Sequence, residues 1–163
     1  TRPTTLSPRH MPDSDIVFMM GKYEAVLPAD RWYADNHHWL QGDGPKYRVG
    51  FTSYAVRLLQ DVYFLDWSID PDTPVRKKQE VGEVETSKAV SNLYAPVDGR
   101  ILAFNQALMN DPSLINTDNY AGGWLYEIET SAPMMSVQDY LAHLNANWDA
   151  TQKTLKGQYN EAE

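Results

Sequence analysis

The chain has 163 residues, enough for one domain with a real core, and 42% apolar with 22% charged residues is an ordinary globular composition. A formal net charge of −8, with no basic stripe to neutralise phosphates, argues against nucleic-acid binding and favours docking to positively charged protein surfaces. The absence of cysteine excludes disulfides, cysteine-bound zinc and a cysteine nucleophile.

Residues 1–15, rich in Pro, Thr, Ser and charge, read as a flexible lead-in without the apolar core of a signal peptide. Ile16–Met20 is the longest apolar run, a short strand or an apolar clip and far too short to span a bilayer, so a cytoplasmic protein is the default. Asp30-Arg31-Trp32-Tyr33, after Pro28, reads as one helical turn. Residues 36–40 and 47–51 flank Gly42-Asp43-Gly44-Pro45 and predict a hairpin. His37 and His38 are adjacent on a strand, face opposite sides and make a poor chelate, so no metal site is expected.

Thr52-Ser53 predicts the cap of a helix over 54–60, with Val56, Leu59 and Gln60 at helical spacing and Ala55 and Leu58 able to join the buried face. A strand over 62–67 is predicted to alternate, Val62 and Phe64 against Tyr63 and Leu65. Arg76-Lys77-Lys78 reads as a solvated strand edge that discourages aggregation. Further strands are predicted over 100–105 and 124–129, with a helical turn over 107–110 between them. Ser136 with Asp139 caps a helix over 136–150, whose Val137, Tyr140, Leu141, Leu144 and Trp148 share one face. The domain is expected over 16–156, with 157–163 a tail. The class is mainly β: short strands with turn signals and a few peripheral helices, a small sandwich or barrel.

The informative stretch is Gly82-Glu83-Val84-Glu85-Thr86-Ser87-Lys88-Ala89-Val90-Ser91-Asn92-Leu93-Tyr94-Ala95-Pro96-Val97-Asp98-Gly99. It reads as strand, tight turn, strand, turn, with Lys88 at the tip, where a lysine is solvated and within reach of another protein. No nucleophile-elbow motif and no Gly-rich phosphate cradle accompanies it, and the scattered histidines form no hydrolase triad.

This stretch resembles the lipoyl-lysine hairpin of glycine-cleavage H-proteins: an acidic residue three before the lysine (Glu85), alanine just after it (Ala89), glycine eleven after it (Gly99). The similarity extends through Tyr47-Arg48-Val49-Gly50-Phe51-Thr52, Leu59-Gln60-Asp61-Val62-Tyr63-Phe64-Leu65 and residues 105–124, and covers about residues 36–130. It implies a barrel-sandwich hybrid of two sheets, and a non-catalytic carrier with lipoate attached to Lys88 by a lipoate–protein ligase that reads Glu85, Ala89 and Gly99. Biotin carriers share the fold but flank their lysine with methionines, whereas Ser87 and Ala89 stand here. Such a carrier supplies positioning, while its lipoyl arm supplies the redox and transfer chemistry.

The resemblance also locates departures. Three family groups that hold the loaded arm in a cleft are the glutamate of a His-Glu-Trp motif, a histidine after the helix start and the aspartate four after the lysine. They fall at His38, Leu58 and Asn92. Without them a cationic aminomethyl cargo lacks charge partners. With the lead from Gly21 to His37, this resembles the lipoate-binding proteins of bacterial sulfur oxidation. That implies a sulfur cargo and a heterodisulfide-reductase-like partner complex. The alternative is a glycine-cleavage carrier serving glycine decarboxylase, aminomethyltransferase and dihydrolipoamide dehydrogenase. A third reading is an unmodified adaptor. A monomer is expected.

Overall fold

A computed structural model of the chain describes residues 15–162, with side chains through residue 152. Apart from Asp15, the lead-in expected over 1–15 lies outside the described residues.

The chain begins with a hairpin of β1 (Ile16–Met20) and β2 (Tyr23–Leu27), turned at Gly21, whose φ of 64° suits a residue without Cβ. Alternation buries Phe18, Met20, Ala25 and Leu27 and leaves Val17, Met19 and Val26 outside. The predicted helical turn at 30–33 does not form. The Asp30 carboxylate instead takes the Arg31 guanidinium at 2.7 Å and the Gln41 amide at 2.9 Å, and β3 (Trp32–Tyr33) pairs with β4 (His38–Gln41). Cross-strand pairing outcompetes one isolated turn, which alone would close few backbone hydrogen bonds.

Strand β5 (Lys46–Phe51) completes the expected hairpin with β4. Thr52 then accepts the Ala55 N–H at 3.2 Å and starts α1 (Ser53–Leu59). The buried residues of this helix are Tyr54 and Ala55, not Val56 and Leu59, which are half-buried. The next strands are β6 (Val62–Trp67), β7 (Thr73–Val75), β8 (Glu80–Thr86), β9 (Val90–Tyr94) and β10 (Gly99–Phe104). Two short helices, α2 (Ala107–Asn110) and α3 (Leu114–Thr117), precede β11 (Tyr126–Glu129). The basic run 76–78 lies in the turn between β7 and β8, not on a strand edge, and Lys77 pairs with Asp35 at 3.1 Å.

The strands form a six-stranded sheet, β3-β4-β5-β11-β10-β7, a three-stranded sheet, β6-β8-β9, and the β1-β2 hairpin. The two larger sheets enclose one core around Leu40, Val49, Leu65, Val84, Ile101 and Ile128, so the architecture is a mainly β sandwich whose sheets share no ladder among the described strands. Strand β6 does not alternate as predicted. A bulge between Val62 and Phe64 buries Val62 and Leu65 and leaves both Tyr63 and Phe64 exposed.

Helix α4 (Val137–Ala162) starts where expected, with Ser136 Oγ accepting the Asp139 N–H at 3.1 Å. It continues past residue 150 through most of the stretch expected as a tail. Val137, Tyr140 and Leu144 enter a second core with Phe18, Leu27, Tyr33, Trp39 and Tyr54, while Leu141 and Trp148 pack at its edge. Tyr140 stacks on Tyr33 at 4.8 Å, and its hydroxyl meets His37 Nδ1 at 2.9 Å and Thr52 Oγ1 at 3.1 Å. This clamp joins α4, β3 and the start of α1.

Candidate functional site

Lys88 sits, exposed, in the turn between β8 and β9, the hairpin tip read from the sequence. The residue that shapes this tip is Thr86, which is buried and was not singled out from the sequence. Its Oγ1 accepts the Lys88 N–H at 3.2 Å and the Ala89 N–H at 3.3 Å, and it also donates to the Ala89 carbonyl at 3.2 Å. The Thr86 N–H closes the turn onto the same carbonyl at 2.9 Å, and the Ser87 N–H is tied to the Asp61 carbonyl at 3.0 Å. A threonine two residues before a turn lysine is a recognisable local signal, because its hydroxyl satisfies turn N–H groups. The root of the Lys88 side chain is therefore held on a pinned loop.

The three candidate hairpin residues separate. Glu85 lies exposed on β8, opposite Val90, and Ala89 is in the turn itself. Gly99 is elsewhere, at the start of β10, where an added Cβ would meet the Glu129 carbonyl oxygen at 2.5 Å. That close approach of backbones requires glycine without reference to the lysine.

His38, Leu58 and Asn92, far apart in the chain, do come together. They line one cavity of about 180 Å³ between α1, β4 and β9, with Asn36, Phe51 and Tyr94. Asn92 is four residues beyond Lys88, the third residue of β9. No carboxylate lines the cavity among the described residues. Two lining residues nevertheless carry buried polar atoms without a partner among the described residues: Asn36 Oδ1 and both ring nitrogens of His38. Asn36 donates its amide to the Tyr94 carbonyl at 3.0 Å, which leaves its oxygen as the open acceptor.

His38 is buried against Phe51, ring centres 5.0 Å apart. Burial, then neighbouring His37, pushes its imidazole down to about 3. It is neutral at ordinary pH, with one N–H donor and one acceptor nitrogen. The cavity lining thus carries neutral polar groups and no carboxylate, as the positions of His38 and Asn92 led one to expect, and nothing in the sequence marked Asn36. The described residues contain no cluster fit to hold a metal ion, and no described helix is long and apolar enough to cross a membrane.

A mainly β sandwich with a pinned lysine hairpin above a small cleft is the frame of a carrier for a lysine-linked arm. Residues 31–154 match the model of the glycine cleavage H-protein family. The glycine cleavage system H protein of Mycolicibacterium vanbaalenii is 40% identical over 128 residues, covering 72% of this chain and 96% of its own length. That of Methylacidiphilum infernorum is also 40% identical, over 121 residues, covering 72% and 92%. The crystal structure of a glycine cleavage system H protein from Mycobacterium marinum superposes with a TM-score of 0.65 at 34% identity, covering 73% of this chain and 99% of that one.

The chain belongs to the glycine cleavage H-protein family. It is accordingly a lipoate-bearing carrier that serves partner enzymes and is not itself a catalyst. The match leaves out β1 and β2, an addition that packs against α1 and α4.

Proposed function

We propose that Lys88 is the lipoate attachment site and that the protein carries the aminomethyl group between the enzymes of glycine cleavage. One observation carries the assignment: the exposed lysine stands on a Thr86-pinned tip, four residues before Asn92 in the lining of a small cleft. Lipoate supplies a dithiol that takes up and releases the cargo and its electrons. The chain's own residues hold the arm's root and line the cleft with the neutral polar side chains of Asn36, His38 and Asn92. The partners are then a lipoate–protein ligase, glycine decarboxylase, aminomethyltransferase and dihydrolipoamide dehydrogenase, in the cytoplasm. The names of the relatives support glycine cleavage over sulfur oxidation, reversing the order expected from the sequence.

A second reading keeps the specific support of the cleft lining. Neutral acceptors shelter a cation less well than carboxylates do, whereas a neutral or anionic sulfur cargo is better served without carboxylates. In that reading the arm on Lys88 serves a heterodisulfide-reductase-like complex.

One experiment orders the three possibilities. The protein is treated with a lipoate–protein ligase, and its mass and Lys88 peptide are measured. The lipoylated form is then given to glycine decarboxylase and carbon dioxide exchange is followed. One lipoyl increment on Lys88, absent in Lys88→Ala, with exchange at a rate typical of H-proteins, is the expected result. Lipoylation without exchange, together with sulfur-dependent turnover by the heterodisulfide-reductase-like complex, transfers the assignment to the second reading. No increment returns it to an adaptor.

A further inference from the structure

The bulge in β6 has a consequence for the surface beside Lys88. Regular alternation would bury one of Tyr63 and Phe64, but both face solvent, at 61% and 53% exposure, and Val90 is 59% exposed. The ladders set Phe64, Glu85 and Val90 in one row across β6, β8 and β9, and Asp66, Glu83 and Asn92 in the next. Exposed Phe64 and Val90 thus flank the exposed carboxylate of Glu85, and exposed Asp66 and Glu83 stand in the next row, so apolar and acidic side chains alternate across this face. Across 61–67 and 80–94 Lys88 is the only cationic residue.

We infer that this face docks the enzyme that acylates Lys88, through a basic surface with an apolar pocket on that enzyme. The inference rests on the reading of Lys88 as the lipoylation site. Two features select the occupant. Exposed apolar side chains interspersed with charge of one sign mark a protein interface, and its complement carries the opposite sign. Proximity then chooses among proteins. In the acylation, the deprotonated Lys88 Nζ attacks the carboxyl carbon of an activated lipoate (an acyl adenylate). The C–N bond forms, the bond from that carbon to the phosphate oxygen breaks, AMP leaves, and the amine's second proton passes to solvent. An enzyme doing this must bring its active site to Nζ and cover the sheet beside the tip, since Glu85 is only three residues from Lys88, next to the end of β8. Enzymes that use the finished arm meet its far end and can dock elsewhere.

The test measures acylation of the full chain by a lipoate–protein ligase with lipoate and ATP, followed by intact mass at low and physiological salt. Phe64→Ser and Glu83→Lys are compared with Glu24→Lys, a charge change on exposed β2 away from this face. The face predicts that Phe64→Ser and Glu83→Lys each lower kcat/KM about tenfold or more, chiefly through KM, with a flatter salt dependence for Glu83→Lys. Glu24→Lys stays near wild type, and all four proteins share one Tm. Wild-type kcat/KM in both face variants overturns the docking face while leaving Lys88 as the site. So does wild-type acylation combined with slowed use of the arm by a client enzyme, which reassigns the face to that client. Absence of any increment on wild-type Lys88 overturns the carrier reading, and the docking face with it.

Discussion

The Oγ1 of Thr86 accepts the backbone N–H of Lys88 at 3.2 Å, so the lysine's position is fixed by a buried side chain two residues earlier. The same oxygen serves Ala89 N–H and the Ala89 carbonyl.

Thr86→Val keeps the shape and removes the hydroxyl. It leaves turn N–H groups short of a partner and costs about 1–2 kcal/mol. The urea midpoint falls, and acylation of Lys88 slows because the root no longer holds one position. Thr86→Ser keeps the oxygen and recovers most of the acylation rate. Equal rates for all three proteins would show that the pinned turn plays no part in modification.

Gly99→Ala separates packing from recognition. A Cβ placed 2.5 Å from the Glu129 carbonyl and 3.1 Å from Thr130 Cβ forces β10 away from β11, at a cost of about 1–3 kcal/mol. The acylation rate per folded molecule stays at the wild-type value, since the strain is remote from the hairpin tip. A normal melting temperature with slow acylation would instead make Gly99 part of what the ligase reads.

Acid destabilises the protein through His38, which is buried, and His37, which is half-buried. Burial and neighbouring His143 push His37 down to about 4, and burial pushes His38 to about 3, against about 6.5 in the unfolded chain. Between those values the unfolded state binds more protons, so stability rises with pH. Their contribution is full above about pH 6.5 and is lost as pH falls toward 4, by at most about 1.4 kcal/mol per pH unit for each imidazole. Urea midpoints at pH 7, 6 and 5 read this slope. His38→Phe, which keeps a ring on Phe51, flattens it, and an unchanged slope in that variant would show that His38 titrates normally.

Loading the cleft has a signature of its own. His38→Glu with Asn92→Asp supplies carboxylates at two of the three altered family positions. If the cargo is the aminomethyl cation, the lipoylated double variant holds it longer, and release to water slows about tenfold, the effect of roughly one better charge-assisted hydrogen bond. Release at an unchanged rate would mean that the loaded arm does not use this cleft.

The sequence by itself determined what depends on near neighbours. The strand–turn–strand around Lys88, the Thr52 cap, the Ser136 cap and the apolar face of α4 are all set by spacings of a few residues, where propensity and hydrogen-bond chemistry act locally. Tertiary structure decided the rest. The bulge that turns out both Tyr63 and Phe64 belongs to the pairing of β6 with β8, which a single strand's pattern does not contain. The turn expected at 30–33 yielded to a strand because its partner lies in β4. Asn36, His38, Leu58 and Asn92 became one cleft only when three distant segments packed together, and burial there made His38 neutral. Desolvation and cross-strand register are properties of the packed chain, so no local spacing encodes them.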